Sequence, residues 1–487
     1  MKTKNLPLFA IKCMAFFLLS ANIYSQVGIG TLTPNASAML DVESTTKGLL
    51  TPRMTSAERT AISNPANGLL VYDTTENAFY FYKSATWTKL DSKVRNNYKL
   101  IKSAADLSAE LTAGGGSSYK LTSNTFYEIN GTITLAAPID LNNAYIAGLD
   151  ANEDVLSFMG GTVFKGSTGG SIKNVTLLGS KAFEITGPGI ATTSSLLVQN
   201  TIIDGMTTSV GSIDGLGLFF GNIIQYLNNA NGITYSNISN LLLNNQAWFG
   251  NNSGTYEKLT GTFGLIEKVS GFSAVNGSVV AAFDVSSNPT VTTGIIQGTV
   301  FTGSPSSAFV KGYTSGSYTG YNFTVDWTVD APGIPREGDA EATGDINLDA
   351  AVGSGAITTF TGTGSGTRKK IAGNTTSNNL FRFTRDGNNK ITYRGKKTRY
   401  FQVAGSVSYQ GSDDMTIILY IAKNNNVILE TKVYGRATTG FFTNAGILAL
   451  PVIGTVEMKT GDFIEIWAER YSGSGNMQTV SLNLIAR

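Results

Sequence analysis

Short segments of alternating apolar and polar residues recur through the middle of the chain, and they restrict the folds it can adopt. Altered forms of one pattern occur at 172–180 (IKNVTLLGS), 195–205 (SLLVQNTIIDG), 237–245 (NISNLLLNN) and 295–304 (IIQGTVFTGS). They return roughly every 25 to 35 residues, the spacing of solenoid coils. One coil cannot bury its apolar side alone, whereas stacked coils can. The pattern predicts a right-handed parallel β-helix over 97–335, with a capping helix at 102–112.

Composition narrows the fold class and removes several kinds of chemistry. The 487 residues are 14% charged and 41% hydrophobic, with 55 glycines and no histidine. Low charge with abundant Gly, Thr, Asn and Tyr is typical of extended β architecture, and the hydrophobic fraction is too high for a disordered chain. The lack of histidine excludes serine triads and histidine metal sites. We therefore predict an all-β protein with no cofactor and no metal.

The first 26 residues have the pattern of a secretory signal peptide. Three lysines precede or flank an apolar run at 14–19, and cleavage is predicted near Ser25–Gln26. The run is too short to cross a bilayer, so no transmembrane segment is predicted in the mature chain. Cys13, the only cysteine, lies inside this segment, so the mature chain would form no disulfide. These features predict a secreted or cell-surface protein.

Residues 27–92 are predicted to be a separate module. It opens with VGIGT at 27–31 and contains PRMT at 52–55. Thr55 and Glu58 make a capping box, which predicts a short helix. These motifs resemble a module common at the start of secreted proteins of flavobacteria and their relatives, and the same pattern occurs in tail-fibre-like proteins. The resemblance implies the envelope or exterior of such a bacterium, with no known chemistry.

The last part of the chain, 368–487, has longer strands with clear alternation. The segment 401–407 (FQVAGSV) alternates apolar with small or polar residues, and 423–426 (KNNN) is a predicted hairpin turn. About eight such strands predict a C-terminal jelly-roll β-sandwich. The Gly461-Asp462 pair and the alternating residues after it resemble the C1q/tumour-necrosis-factor-like jelly roll, which implies a trimer. Residues 336–367 are expected to be an extended connector, with one strand of the next unit as the alternative.

The order of these units, a β-helix followed by a jelly roll, also resembles structural proteins of bacteriophage particles such as tail fibres. That resemblance implies binding or architecture rather than catalysis. Phage virion proteins carry no secretion signal, whereas this chain begins with one, so a bacterial surface protein built from the same modules is favoured. The predicted function is non-enzymatic structure or adhesion, by a homotrimer that recognises glycans or another surface ligand.

The C-terminal unit is the basic end of the chain, with 16 basic and 8 acidic residues from 368 to 487. A glycan or another anionic surface polymer is therefore a candidate ligand, and nucleic acid is not, because a secreted protein rarely meets it. A solvated strand face is the alternative, because Phe381, Arg382 and Phe383 alternate as on an ordinary strand. The candidate ligand-binding residues are Arg382, Arg385, Arg394, Lys396, Lys397 and Arg399, with Trp248 as a candidate sugar-stacking platform. The alternative for Trp248 is an interior stack, which is the more common place for aromatic residues in a β-helix.

A β-helical polysaccharide lyase or hydrolase is the alternative function. Hydrolases need two carboxylates a few ångströms apart, and Asp204 and Asp214 could meet across neighbouring coils. The other acids of the middle region are sparse. The asparagine clusters at 228–232 and 244–245 are predicted to be turns or stacked ladders, because asparagine tolerates left-handed backbone. Sugar binding is the second interpretation of these clusters.

Overall fold

The computed structural model describes residues 26–90, 95–412, 414–436 and 446–487. They divide between a first unit that ends at Arg95 and a second unit from Asn96 to Arg487. Both units consist mainly of strands, which confirms the all-β prediction. The predicted signal peptide, with Cys13, lies outside the described residues.

The first unit contains a two-stranded parallel sheet and a four-stranded mixed sheet. The predicted capping box is present, because the Thr55 hydroxyl accepts from the Glu58 N–H and the Glu58 carboxylate accepts from the Thr55 N–H. Arg59 is held by an ion pair of 2.8 Å between its Nε and the Asp73 carboxylate. The elements are β1 Val27–Ile29, β2 Leu40–Val42, β3 Arg53–Met54, α1 Ser56–Thr60, β4 Leu70–Asp73, β5 Ala78–Lys83 and β6 Thr86–Lys89.

Residues 98–330 form a parallel β-helix of about nine turns, which we call the shaft. The predicted fold is therefore confirmed. The coil length varies, since Phe126 pairs with Tyr145, 19 residues later, and Ile295 with Thr328, 33 residues later. This variation explains why the sequence period is loose.

The shaft strands pair in parallel and in register from coil to coil. They are β7 Tyr98–Ile101, β8 Tyr119–Lys120, β9 Phe126–Ile129, β10 Thr132–Thr134, β11 Ile139–Asp140, β12 Tyr145–Ala147, β13 Val155–Gly166, β14 Gly170–Lys173, β15 Thr176–Thr186, β16 Ser195–Asp204, β17 Ser209–Leu227, β18 Ile233–Trp248, β19 Gly254–Val275, β20 Val279–Asp284, β21 Thr290–Gln297, β22 Val300–Gly303, β23 Val310–Lys311 and β24 Trp327–Asp330.

A short helix packs on the N-terminal end of the shaft. The single helix predicted over 102–112 is instead a 3₁₀ turn at Ala104–Leu107 followed by α2 at Ser108–Ala113. A capping box of Ser103 and Asp106 begins it. Covering the first coil protects strand edges that would otherwise be open to pairing.

Asparagines form corners between and within the long shaft strands, as the asparagine clusters predict. Asn228, Asn237 and Asn245 have φ angles of 53°, 49° and 48°, in the left-handed region that asparagine tolerates. Inside the shaft, Asn229 and Asn252 stack on successive coils, and the Asn229 amide donates to Asn252 Oδ1 over 2.9 Å. The predicted asparagine ladder is confirmed. It satisfies polar groups that a tight buried corner would leave unpaired.

Residues 343–487 form an antiparallel β-sandwich, which we call the head. Its strands are β25 Thr343–Asp349, β26 Ala356–Thr358, β27 Lys369–Lys370, β28 Leu380–Phe381, β29 Phe383–Arg385, β30 Ile391–Tyr393, β31 Arg399–Gln410, β32 Thr416–Lys423, β33 Asn426–Val427, β34 Val433–Arg436, β35 Ile447–Met458, β36 Phe463–Ser472 and β37 Met477–Ala486. Short 3₁₀ turns lie in the head at Ser365–Thr367 and Leu429–Thr431. Two others lie earlier in the chain, at Ser306–Ala308 in the shaft and at Asp339–Glu341 just before the head.

The two sheets of the head pack face to face as a jelly roll. One has the order β28–β25–β37–β31–β35, with β26 beside β37. The other has the order β29–β30–β36–β32–β33, with β27 beside β36 and β34 beside β32. Inward side chains such as Val403, Ile466 and Leu484 form its core. β25 and β26 lie within 336–367, the stretch expected to be a connector, and β25 pairs with β37.

Candidate functional site

Arg382 is a buried structural residue where the head meets the shaft. Its side chain is 3% exposed. Its Nη1 and Nη2 atoms donate to the carbonyls of Val325 (3.0 Å) and Trp327 (2.5 Å) in the last coil, and it forms an ion pair with Asp339. The backbone of Arg382 is left-handed (φ 56°) where the chain crosses from β28 in one sheet to β29 in the other. The guanidinium therefore ties the head to the C-terminal end of the shaft and cannot serve as a surface ligand residue.

Three more of the predicted basic residues belong to this junction. The Lys396 Nζ lies 2.6 Å from the Asp326 carboxylate. The Lys397 N–H donates to Asp339 Oδ2 over 2.6 Å, and the Arg399 guanidinium donates to the Asp339 carbonyl. Arg382 and Lys396 thus pair with acidic side chains, whereas Lys397 and Arg399 are held through a backbone N–H and a backbone carbonyl. Two of the predicted basic residues therefore neutralise acidic groups where the head meets the shaft.

Arg385 and Arg394 lie on the exposed surface of the head. Arg385 Nη1 donates to the Thr375 carbonyl over 2.7 Å, and Arg394 Nε donates to Thr384 Oγ1 over 3.0 Å. Four of the six predicted basic residues thus belong to the junction, where Lys396 and Lys397 are also exposed, and the other two bond within the head. They do not form one ligand-binding patch.

An open cleft of about 490 Å³ lies beside the junction. Thr328 and Asp330 line it from the shaft, and Lys397 and Arg399 line it from the head. Arg336 also lines it and pairs with Asp330 at 2.9 Å. The cleft presents both signs of charge and several hydrogen-bonding groups, which suits a polar ligand.

Trp248 belongs to the core of the shaft. Its ring is buried and stacks on Tyr256 with the ring centroids 4.4 Å apart. Tyr226 lies 5.9 Å from the Trp248 ring and 5.1 Å from the Tyr256 ring, so the three rings form one cluster. Trp248 is therefore not a sugar-stacking platform but part of an interior stack, the alternative that the sequence left open.

A buried ion pair lies next to these rings. The side chains of Lys268 and Glu257 are 1% and 0% exposed, and the Lys268 Nζ lies 3.0 Å from the Glu257 carboxylate. Lys268 also lies over the Tyr256 ring, 5.0 Å from its centroid. Burial raises the pKa of Glu257, although the attraction of Lys268 opposes the shift. Because both side chains are enclosed, the pair serves the core and not a soluble substrate.

The sequence did not predict this pair, because only the register between coils shows that both residues face inward. The coil neighbours of Glu257 and Lys268 are buried apolar residues, namely Ile233, Phe283, Leu243 and Ile296. The signal available in the sequence is a charged residue in phase with inward apolar ones, as in Ile266 and Lys268.

Asp204 and Asp214 do not form a carboxylate pair. Asp204 Oδ1 accepts from Asn228 Nδ2 at 2.8 Å, and Asp214 Oδ1 accepts from Asn237 Nδ2 at 3.0 Å. Their strand registers place them in separate stacks of the shaft, so the expectation that they meet across neighbouring coils is wrong. Within the described ranges, no cluster of three or more Asp, Glu or Cys side chains could hold a metal ion.

Comparison with known families gives one match. Residues 28–105, a small part of the chain, match the family described as the phage tail like trimerisation region. No curated protein matches the chain. In the part of the chain that the structure describes, no helix has the length and apolar character needed to cross a bilayer.

Among solved structures, the chain is similar to murine APRIL and to the Eiger TNF of S. frugiperda. The identities are 10% and 8%, and each TM-score is 0.21. Each likeness covers 30% of this chain, with 99% and 93% of the other chain respectively. The jelly-roll assignment rests on the strand order of the head itself.

Arg382→Ala should destabilise the second unit by about 3–5 kcal/mol, the usual effect of removing one partner of a buried ion pair. Two shaft carbonyls would lose donors, and Asp339 would lose its counter-ion. We expect calorimetry to show head and shaft unfolding in separate transitions. Arg394→Ala is the matched control, because this arginine is exposed, and its effect should stay within about 0.5 kcal/mol. Equal stability of the two variants would contradict the assignment.

Lys268→Met should cost about 3–5 kcal/mol at neutral pH, because Glu257 would be left charged and buried. The loss of Lys268 raises the pKa of Glu257 further. The folded state of the variant then binds the proton of the Glu257 carboxyl more tightly than the unfolded chain does. The free energy of unfolding therefore falls as pH rises above the ordinary pKa of a glutamate. Urea unfolding should therefore show the variant recovering between pH 7 and pH 5.

The double variant Glu257→Leu, Lys268→Met is the control, since an apolar pair of similar volume is often neutral. A single variant as stable as the parent at pH 7 would show that the ion pair does not stabilise the core.

Proposed function

We propose that this protein is a non-enzymatic structural fibre protein, a homotrimer that acts at a bacterial surface. The observation that carries the proposal is the outer face of the sheet containing β37, β31 and β35. At its centre, Ala404 of β31 lies between Ile453 of β35 and Ile485 of β37. Ile453 is 70% exposed and Tyr400, further along β31, is 66% exposed. An uncovered apolar sheet face of this kind marks an interaction site.

The rest of this face suits close contact with another protein surface. Gln402, Ala404, Ile453 and Ile485 line a depression of about 570 Å³, which a partner side chain could fill. The other sheet differs, because ion pairs lie across it. Arg368 and Glu469 are 2.7 Å apart, and Lys370 and Glu465 are 3.2 Å apart. The centre of the first sheet is thus apolar where the second carries ion pairs, although Tyr434 and Tyr471 of the second sheet are also exposed.

Two observations favour three copies. The family matched by residues 28–105 is described as a trimerisation region. The Gly461-Asp462 motif of the head resembles the C1q/tumour-necrosis-factor-like jelly roll, whose members typically form trimers. Both point to assembly through the parts of the chain on either side of the shaft.

The proposed location is the exterior or outer envelope of a flavobacterium-like cell. The signal-like pattern of residues 1–26 and the resemblance of the VGIGT and PRMT motifs support this location. The polysaccharide lyase or hydrolase alternative loses its candidate pair, because Asp204 and Asp214 are held by different corner asparagines.

Recognition of an anionic glycan is the finer part of the proposal. The candidate binding site is the cleft beside the junction, which is lined by Arg336, Lys397 and Arg399 among other residues. Arg336 pairs with Asp330 at 2.9 Å and Glu341 at 3.7 Å, but its side chain is 61% exposed. Its outward N–H groups can therefore still reach a carboxylate or sulfate group.

Arg336→Ala should weaken binding of the intact protein to anionic glycans on an array by about tenfold, the effect of losing one modest charged contact. Arg385→Ala, which removes an exposed arginine elsewhere on the head, should leave binding unchanged. Equal binding by both variants, or no preference for anionic over neutral glycans, would refute recognition at this cleft without affecting the fibre proposal.

Ile453→Asp should dissociate the trimer, because it places a charge at the centre of the apolar sheet face. Light scattering should give three times the chain mass for the parent protein and a smaller mass for the variant. Leu429→Asp is the matched control, since Leu429 is also exposed, at 50%, but lies in a turn of the other sheet. A monomeric parent protein would refute the proposal.

A further inference from the structure

One outward-facing row of side chains follows the whole shaft and is mostly apolar. The pairing of the strands stacks one residue of each coil on a residue of the preceding coil, which gives a row of ten residues. Seven of these ten are aromatic or aliphatic. The row consists of Tyr98, Phe126, Tyr145, Ser171, Leu197, Phe220, Leu242, Glu267, Ile295 and Thr328. We call this row the lateral stripe.

The lateral stripe faces outward because side chains alternate along each strand. The residues next to it, such as Ile146, Val198 and Leu241, are buried in the core. Tyr145 is 49% exposed, and Phe220 and Leu242 are half-buried between their coil neighbours. The stripe is therefore a mostly apolar row that continues from coil to coil, interrupted by Ser171 and Glu267, and not a set of isolated exposed residues.

A second outward row on the same coils has the opposite character. Its successive pairs are Lys120 with Asp140, Lys165 with Glu184, Glu184 with Ser212, Ser212 with Thr234, Thr234 with Lys258, Lys258 with Asp284 and Asp284 with Lys311. Lysines and acids alternate here, and the Lys165 Nζ lies 3.3 Å from the Glu184 carboxylate. We call this row the charged row. The long strands β17, β18 and β19 carry residues of both rows, which lie on different sides of the shaft.

We propose that the lateral stripe is the surface on which a second copy of this chain packs against the shaft. This inference rests on the trimer proposed above. The stripe begins at Tyr98, inside the 28–105 segment that matches a trimerisation region, so copies joined there would start with their stripes close together. The stripes of identical chains have the same length and carry one charge, Glu267, so they suit each other as partners.

The far end of the lateral stripe leads to the apolar face of the head. Ile295 and Thr328 line the same cleft as Arg399, the first residue of β31. The next residue, Tyr400, is exposed on the apolar sheet face. A partner chain that covers the stripe would therefore reach the strand that carries the proposed contact face of the head.

The test uses two single cysteines on one strand, in a Cys13→Ser background that is otherwise free of cysteine. Leu242→Cys lies on the lateral stripe and Thr234→Cys on the charged row, and both side chains are half-buried in the single chain. Mass by light scattering is measured first, then maleimide labelling of the native protein and cross-linking by a short bismaleimide. We expect trimers for both variants. Maleimide labelling of Leu242→Cys should be slower than that of Thr234→Cys by about tenfold or more, a protection that even a weak contact gives. The bismaleimide should cross-link chains of Leu242→Cys but not of Thr234→Cys.

Each outcome decides between the two proposals. Trimers in which both cysteines label equally fast and neither cross-links would overturn the lateral contact and leave the trimer intact. Monomers would overturn the trimer and the lateral contact together. Protection of Leu242→Cys that appears only when soluble glycan or lipid vesicles are added would assign the stripe to that partner instead. Phe220→Cys and Ser212→Cys on the preceding coil repeat the comparison if Leu242→Cys fails to fold.

Discussion

Register between parallel coils is the constraint on which the rest of this structure depends. Because each residue stacks on one residue of the next coil, a slip by one position would turn every inward side chain outward. Like groups therefore stack on like, or on their complements. Asn229 stacks with Asn252 inside the shaft, and Lys165 pairs with Glu184 outside it. The same rule that fills the core also extends a surface feature of one coil into a row along the shaft.

Buried polar groups make this register more demanding. Glu257 and Lys268 neutralise each other in an enclosed space against the Tyr256 ring. A slipped register would leave either charge without its partner in an apolar core, at a cost of several kcal/mol. The shaft core is thus held by apolar contact and also by a pairing that tolerates one arrangement only.

The two ends of a β-helix must be covered by other parts of the chain, because open strand edges can pair with further strands. At the N-terminal end, α2 and the preceding 3₁₀ turn provide a cover. At the C-terminal end, the head does so, with Arg382 donating to carbonyls of the last coil. Arg382 and Lys396 serve this role through their ion pairs with Asp339 and Asp326.

The sequence by itself determined the features that depend on local pattern. Strand alternation with a loose period predicts stacked coils, Thr55 and Glu58 predict a capped helix, and clustered asparagines predict corners and ladders. Only the tertiary structure decided which distant groups meet. Arg382 looks like a surface residue until the last coil is placed beside it, Trp248 looks accessible until its neighbours stack on it, and Asp204 and Asp214 look paired until the register separates them. The physical reason is that propensity and capping act over a few residues, whereas burial and charge pairing depend on coils more than 20 residues apart.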